Sequence, residues 1–298
     1  MYYYQVVNGN IVAQDQSSRL FIISADRSSI EYVLSGYNIN LQLALLNNGV
    51  LYFTAIPQNS SSGDGLYKTD GTVSGTSSIK VPGVSSSYAF EGTKLAVVNN
   101  KLVFNLNASV GTTLLNDGGI KSYDLTYHYV EDLVSYNIIS GQTPDKTHYA
   151  SSLPFSSTVL NGYVFSEVIT SYDGGNQKLL YITDGTLNGT SVYLDLQSQL
   201  NGFDIESLIV VNNQIFFVDN SYSANLWQIN QETKSLVQVN IASVPNDYFG
   251  GLSYQMKFNQ GIIGNKLIFA PDPISIDASD LIGSEPYILT VPPLASPQ

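Results

Sequence analysis

The apolar and polar positions of this chain recur in one short pattern that predicts a β-hairpin six times. In each copy an apolar stretch is followed by two residues drawn from Asn and Gly, and then by a second apolar run. Asn and Gly tolerate positive φ at both central positions of a tight type I′ turn, so each copy indicates a strand, a turn and a second strand. The six central pairs are Asn8-Gly9, Asn48-Gly49, Asn99-Asn100, Asn161-Gly162, Asn212-Asn213 and Gly264-Asn265.

The spacing of these hairpins predicts four-stranded repeats. Their first turn residues are separated by 40, 51, 62, 51 and 52 residues, close to the ~40–50-residue repeats of propeller blades. A third apolar strand follows each hairpin and carries one aromatic residue. These aromatic residues are Phe21, Tyr67, Tyr123, Tyr181, Trp227 and Tyr287.

An eight-residue motif predicts the turn into the fourth strand. Residues 69–76 and 183–190 share six of eight positions, both begin with Thr-Asp-Gly-Thr, and they lie 114 residues apart, a distance of two repeats. Asp accepts N–H groups within a turn, and the Gly after it adopts the left-handed conformation. The motif therefore predicts a hairpin turn between the third and fourth strands.

Together these patterns predict an all-β fold, a six-bladed β-propeller of four-stranded antiparallel blades in a single domain, with a linear stack of the same units as the alternative. The last blade is predicted to be incomplete or to have a poor outer strand, because three prolines follow its third strand in residues 291–298. The predicted blades are residues 1–36, 37–89, 90–150, 151–202, 203–250 and 251–298.

Composition narrows the function classes. A net charge of −12 with only 12 basic residues argues against nucleic-acid binding, which needs clustered Lys and Arg. The absence of cysteine excludes disulfides, thiolate metal sites and a cysteine nucleophile. No apolar run is long enough for membrane insertion. The N-terminus lacks signal-peptide features, so a leader or upstream domain is expected to have been removed.

Two segments carry a family resemblance. Leu-Tyr-Lys-Thr-Asp-Gly-Thr at 66–72 and Leu-Tyr-Ile-Thr-Asp-Gly-Thr at 180–186, each followed by Gly-Thr, resemble the bacterial hyalin-like repeat written ELWxTDGTxxGT. The fifth repeat keeps only Leu226-Trp227 of this pattern, and the others diverge further. The resemblance implies a propeller, an extracellular or cell-surface location in bacteria, and a place as one module of a longer polypeptide. It implies no activity.

Catalytic constellations are poorly represented. His128 and His148 are the two histidines, and pairing either with a Ser and an Asp would be arbitrary, because triads are defined by geometry. Residues 171–175 resemble part of a sialidase Asp-box, but they precede the aromatic strand. The two arginines, Arg19 and Arg27, both lie in the first repeat, whereas a sialidase needs an arginine cluster. No catalytic residue is predicted.

Carboxylates recur in the loops between second and third strands, which emerge on one face of a propeller. In the last repeat Asp272, Asp277 and Asp280 lie within nine residues, and carboxylate oxygens are ligands that Ca²⁺ prefers. Calcium is thus a possible cofactor, with solvated turn carboxylates as the alternative. The predicted ligand-binding carboxylates of this face are Asp64, Asp117, Asp173 and Asp219, and Asp15 occupies the corresponding loop of the first repeat.

Loop tyrosines are the other predicted binding groups, since Tyr adds contact area at low entropic cost. The candidates are Tyr88, Tyr136, Tyr149, Tyr222 and Tyr248.

The leading hypothesis is a non-enzymatic recognition or adhesion module that binds a glycan or a protein through this loop face. One alternative is a carbohydrate-active enzyme, a glycosidase or lyase, using paired loop carboxylates. The other is a structural spacer in a larger surface protein. Neither nucleic acid nor membrane insertion is expected.

Overall fold

The described part of the chain consists of β-strands and turns and contains no α-helix. None of its segments is a helix long and apolar enough to cross a bilayer. A computed structural model describes residues 3–58, 64–82, 84, 90, 93, 95–106, 109–110, 113–114, 119–135, 149–152, 159–172, 175–200, 205–219, 225–239, 256–257, 262–271 and 287–292.

The first two sheets each contain four antiparallel strands in chain order. Sheet 1 contains β1 (Tyr3–Val7), β2 (Asn10–Gln14), β3 (Leu20–Ile23) and β4 (Ile30–Leu34). Sheet 2 contains β5 (Tyr37–Asn47), β6 (Val50–Pro57), β7 (Leu66–Thr69) and β8 (Ser77–Ile79). The predicted two-residue turns join the first and second strands, with φ of 49° at Asn8 and 48° at Asn48.

The next two sheets repeat this topology. Sheet 3 contains β9 (Leu95–Val98), β10 (Lys101–Leu106), β13 (Gly119–Asp124) and β14 (Val130–Ser135). A small hairpin lies between β10 and β13 in the chain and contains β11 (Ser109–Val110) and β12 (Thr113–Leu114). Sheet 4 contains β15 (Tyr149–Ser152), β16 (Val164–Tyr172), β17 (Gly175–Thr183) and β18 (Ser191–Asp195).

The last two sheets differ in completeness. Sheet 5 contains β19 (Ile205–Val211), β20 (Gln214–Asp219), β21 (Leu226–Asn230) and β22 (Ser235–Gln238). Sheet 6 contains β23 (Met256–Lys257), β24 (Ile262–Ile263), β25 (Lys266–Pro271) and β26 (Tyr287–Thr290). Strands β24 and β26 pair with the same residues of β25 and therefore flank it, while β23 pairs with its far end. Within the described residues no strand follows β26.

The six predicted aromatic residues all lie in the strand that follows the hairpin, in β3, β7, β13, β17, β21 and β26. Phe21, Tyr67, Trp227 and Tyr287 each pair with the fourth residue of the preceding strand. Tyr123 instead pairs with the second residue of β10. Because side chains alternate with a period of two, this two-residue difference leaves Tyr123 on the same face of its sheet.

The chain divides into two compact units. The first contains Met1–Pro154, Val168–Asn176 and Thr183–Thr190, and the second contains Phe155–Glu167, Gln177–Ile182 and Ser191–Gln298. In each unit the core lies between successive sheets, and the two faces of one sheet pack against two different neighbouring sheets.

In the first unit, the face of sheet 2 that carries Phe53 packs on sheet 1, and the face that carries Tyr52 packs on sheet 3. In the second unit, the face of sheet 5 that carries Phe217 packs on sheet 4, and the face that carries Phe216 packs on sheet 6. The face with the aromatic residue of the third strand therefore contacts the preceding sheet in both units.

Candidate functional site

The predicted loop face is only partly within the described residues. Asp64, Asp219 and Tyr149 are described, whereas nine other predicted site residues lie outside the described ranges, so their ligand or metal binding stays a prediction. Tyr149 lies in β15, where it pairs with Ser171, so its placement in a loop was wrong. The predicted site residues outside the described ranges are Asp117, Asp173, Tyr88, Tyr136, Tyr222, Tyr248, Asp272, Asp277 and Asp280.

Asp219 is the last residue of β20, and its side chain closes the connection to the next strand. The residue is 1% exposed. Its carboxylate accepts hydrogen bonds from Trp227 Nε1 at 2.8 Å, from the Asn225 backbone N–H at 3.0 Å and from Asn225 Nδ2 at 3.1 Å. These bonds hold the start of the third strand against the end of the second.

Asp64 lies just before β7 and is partly exposed. Its Oδ2 accepts a hydrogen bond from the Ser78 hydroxyl in β8 at 2.8 Å. The nearby Tyr67 hydroxyl has a pKa well above its usual value, chiefly because of burial, with further contributions from Tyr37 and from the charge of Asp64. Asp64 thus presents a carboxylate that is oriented by the outer strand and remains accessible.

Asp15 in the corresponding loop of sheet 1 forms a closed local network. Its carboxylate accepts hydrogen bonds from the backbone N–H groups of Ser17 and Arg19, both at 2.9 Å, and forms an ion pair with the Arg19 guanidinium at 2.7 Å. Arg19 also lies 4.5 Å from the centre of the Tyr32 ring. The pKa of Asp15 is lowered, first by the bond from the Arg19 backbone. The Asp15 carboxylate therefore stabilises the conformation of its own loop.

The Thr-Asp-Gly-Thr turn follows the third strand, as predicted, and it binds the turn of a neighbouring sheet. Asn8 Nδ2 donates to the Gly49 carbonyl at 2.9 Å and to the Asp70 carbonyl at 3.0 Å. Asn10 Nδ2 donates to the Gly71 carbonyl at 2.9 Å. We call residues 8–10 with residues 69–76 the first clip. It connects sheets 1 and 2.

The same arrangement recurs further along the chain. In the second clip, residues 99–101 with 183–190, Asn99 Nδ2 donates to the Asp184 carbonyl at 3.2 Å. In the second unit Asn212 Nδ2 donates to the Val291 carbonyl at 3.1 Å. In each case the first turn residue of one sheet binds a backbone carbonyl that closely follows the third strand of the next.

Side chains within the motif fix its shape. Asp70 Oδ1 accepts the Thr72 N–H at 2.9 Å and the Thr72 hydroxyl at 2.7 Å. Thr72 Oγ1 in turn accepts the Gly75 N–H at 2.9 Å, and Thr76 Oγ1 donates to Thr69 Oγ1 at 2.7 Å. The second copy of the motif repeats these contacts. The motif therefore forms the predicted turn between the third and fourth strands, and its own side chains fix the conformation of that turn.

A groove of about 440 Å³ lies beside the first clip, between the outer strands of sheet 1 and the motif turn. The sequence patterns did not indicate it, because its walls combine residues separated by up to 64 positions. The groove is lined by Asn10, Ile22, Ser24, Ser29, Glu31, Gly71, Thr72, Val73 and Ser74.

Three carboxyl groups of the described residues, Asp15, Asp26 and Asp124, have a lowered pKa, and local hydrogen bonds are the leading cause in each. A general acid at neutral pH needs a raised pKa, so these three groups do not fit that role. Among the described residues, no three His, Cys, Asp or Glu side chains lie close enough together to hold a metal ion.

The turn of residues 24–29 beside the groove contains a carboxyl group, Asp26, whose hydrogen bonds can be tested by pH titration. The pKa of Asp26 is lowered to about 2, first by the hydrogen bond from the Ser24 hydroxyl and then by bonds from Ser28. Because the unfolded value is about 3.9, the stabilisation by this carboxylate is present above pH ~4 and lost as the pH falls towards 2. We expect Ser24→Ala to raise the pKa of Asp26 more than Ser28→Thr does, measured by NMR titration of the side-chain carboxyl. Equal values in both variants and the wild type would contradict this assignment.

Comparisons with known proteins extend the fold assignment. No family model and no curated protein matches the chain. Among solved structures, an oligogalacturonate lyase in complex with manganese is similar with a TM-score of 0.52 and 8% identity, over 96% of this chain and 74% of the lyase.

Two further solved structures are more distant. A polysaccharide lyase, an ulvan lyase, gives a TM-score of 0.47 and 11% identity over 97% of this chain and 78% of its own. An acylaminoacyl peptidase from Pyrococcus horikoshii gives a TM-score of 0.47 and 9% identity over 91% of this chain. The chain spans 41% of the length of the peptidase. At such identities the likeness concerns the fold. The chain is an all-β protein of four-stranded antiparallel sheets, similar to β-propeller-like proteins.

Proposed function

We propose that this protein is a non-enzymatic recognition module, a six-bladed β-propeller with an incomplete last blade, which binds a glycan or a protein through its loop face. The observation that carries the proposal is that the described loop carboxylates are held in place by hydrogen bonds. Asp15 and Asp219 bind groups of their own loops, and Asp64 is oriented by Ser78. Such bonds preorganise loops for binding, which lowers the entropic cost of association.

An exposed apolar face of sheet 1 supports the propeller proposal. Its side chains are cross-strand neighbours along the whole sheet, and four are largely exposed, from 54% at Val6 to 65% at Tyr4. In sheets 2, 3, 5 and 6 the corresponding face is covered by the preceding sheet. A contiguous exposed apolar surface of this kind indicates a contact surface, as the face of a propeller blade is. The face consists of Tyr4, Val6, Ile11, Ala13, Phe21, Ile23, Ile30 and Tyr32.

A glycan is the first ligand to test. The solved structure with a TM-score of 0.52 is an oligogalacturonate lyase, an enzyme that acts on a carbohydrate. The resemblance to hyalin-like repeats implies a location outside a bacterial cell, where glycans are accessible. Calcium held by Asp272, Asp277 and Asp280 is part of the same proposal.

A glycan array with the purified protein, with calcium and again with EDTA, tests this function. We expect specific binding that is lost in EDTA. We expect Asp64→Asn to weaken binding by about fivefold or more, and Glu232→Gln, which removes one charge from an exposed turn after β21, to leave it unchanged.

Silence of the array in both conditions would exclude the glycan version and favour a protein ligand or a structural spacer. Turnover of a bound sugar that disappears in Asp64→Asn would instead favour a carbohydrate-active enzyme with paired carboxylates.

A further inference from the structure

The first and second clips correspond position by position, which allows their surroundings to be compared. The backbone N–H of Ser24 donates to the Ser29 carbonyl at 3.1 Å, and that of Asp124 donates to the Tyr129 carbonyl at 2.9 Å. Ile22 pairs with Glu31 as Ser122 pairs with Glu131. The equivalent pairs are Asn10 and Lys101, Ser24 and Asp124, Ser29 and Tyr129, Glu31 and Glu131, and Gly71 and Gly185.

In the second clip a lysine side chain occupies the space beside the motif turn. Lys101 is 8% exposed, and its Cβ and Cδ pack over the Cα of Gly185. Its Nζ lies 3.0 Å from the Tyr129 hydroxyl and 3.4 Å from Asp124 Oδ2. The site thus contains a complete lysine pocket, with a glycine wall for the stem and an acidic group for the ammonium.

In the first clip the corresponding space is open. Ser24 and Ser29 stand where the second clip has Asp124 and Tyr129, and a groove of about 440 Å³ remains. Asn10, which replaces the lysine, is held at the rim because its Nδ2 binds the Gly71 carbonyl and its Oδ1 accepts the Ala25 N–H.

The groove keeps the chemistry that a lysine requires. Gly71 again forms a wall and Ile22, which is 5% exposed, adds an apolar surface for the stem. Glu31 also lines the groove, and the serine and threonine residues beside it supply hydroxyl groups. None of the nine lining residues is aromatic, so the groove lacks the ring on which a sugar would stack.

We infer that this groove binds a lysine side chain of a partner polypeptide. The aliphatic stem lies against Ile22 and Gly71, and the ammonium binds the Glu31 carboxylate and neighbouring hydroxyl groups. The net charge of −12 favours the approach of a basic partner. The inference concerns a site separate from the loop face, and it does not depend on the proposed glycan function.

The test is an NMR titration of the whole protein with the peptide acetyl-Gly-Lys-Gly-amide. We expect shifts at the backbone amides of Ser24, Ser29 and Thr72, and much smaller shifts with the norleucine peptide, which keeps the stem and lacks the charge. Glu31→Gln should weaken binding by about two- to fivefold, within the range of an exposed ion pair, while the equivalent change Glu131→Gln should not.

A second pair of variants tests the space itself. Ser29→Tyr copies Tyr129 and should abolish binding by filling the groove, whereas Ser29→Ala should retain it, with the circular dichroism spectrum confirming the fold of both. Equal binding of the lysine and norleucine peptides, undiminished binding by Ser29→Tyr, or equal effects of Glu31→Gln and Glu131→Gln would overturn the inference. Glucose or galactose producing the same shifts would also overturn it, in favour of a sugar site.

Discussion

Replacing Gly71 with alanine is expected to lower the free energy of unfolding by about 2–4 kcal/mol. Gly71 has φ of +88°, which strains any residue with a Cβ atom. A Cβ there would also lie 2.6 Å from the Val7 carbonyl oxygen and 3.3 Å from Val7 Cβ. Because Val7 is a fully buried residue of β1, the first clip would have to open. Urea unfolding followed by circular dichroism measures the loss.

Gly36 provides the matched control for this prediction. Its φ is +78°, but nothing lies within 4 Å of an added Cβ. Gly36→Ala should therefore cost only the backbone strain, about 1–2 kcal/mol. If both variants lose the same stability, the close contact between the motif turn and β1 contributes nothing, and the clip does not hold the sheets together.

Local chemistry explains what the sequence predicted well. The Asn and Gly pairs predicted two-residue turns because they tolerate positive φ, and Asn8, Asn48, Asn99, Asn161 and Asn212 all have φ between 46° and 52°. The Thr-Asp-Gly-Thr motif predicted its own turn because the hydrogen bonds that fix the turn join residues within eight positions of each other. The all-β fold of four-stranded sheets follows from these local elements.

Contacts between sheets could not be predicted in this way. The binding of Asn8 to the Asp70 carbonyl joins residues 62 positions apart, and no local pattern marks it. The register of Tyr123 depends on how β13 is aligned with β10. The order of the hairpin turn and the aromatic residue along the chain does not fix that alignment. The groove arises because Ser24 and Ser29 are small where the second clip has Asp124 and Tyr129, a difference visible only when the two clips are compared in space.

The loop carboxylates show a related difficulty. An Asp at the end of a strand fits a ligand-binding residue and a loop-closing residue equally well, because both roles need an acceptor in a turn. Asp219 was predicted to bind a ligand, yet its buried carboxylate accepts bonds from Asn225 and Trp227. Asp64, which lies in the equivalent loop of sheet 2 just before β7, stays partly exposed. Only the fold separates the two cases.

Asp219→Ala is expected to destabilise the protein by about 2–4 kcal/mol, because it removes the acceptor of several hydrogen bonds at a buried position. The Trp227 indole N–H and the Asn225 backbone N–H and side-chain amide would lose their partner. Trp227 is the single tryptophan of the chain, so its fluorescence reports the site directly. Urea unfolding followed by this signal should show a lower midpoint, and the folded variant should emit at longer wavelength.

Asp64→Ala is the comparison that separates the two roles of a loop carboxylate. Asp64 is partly exposed and accepts a bond from Ser78, so its loss should cost less than about 1 kcal/mol while reducing ligand binding. Asp219→Ala should show the reverse, a large loss of stability and no binding defect in the fraction that remains folded. A fully stable Asp219→Ala variant that no longer binds ligand would contradict the structural role and restore Asp219 to the ligand-binding face.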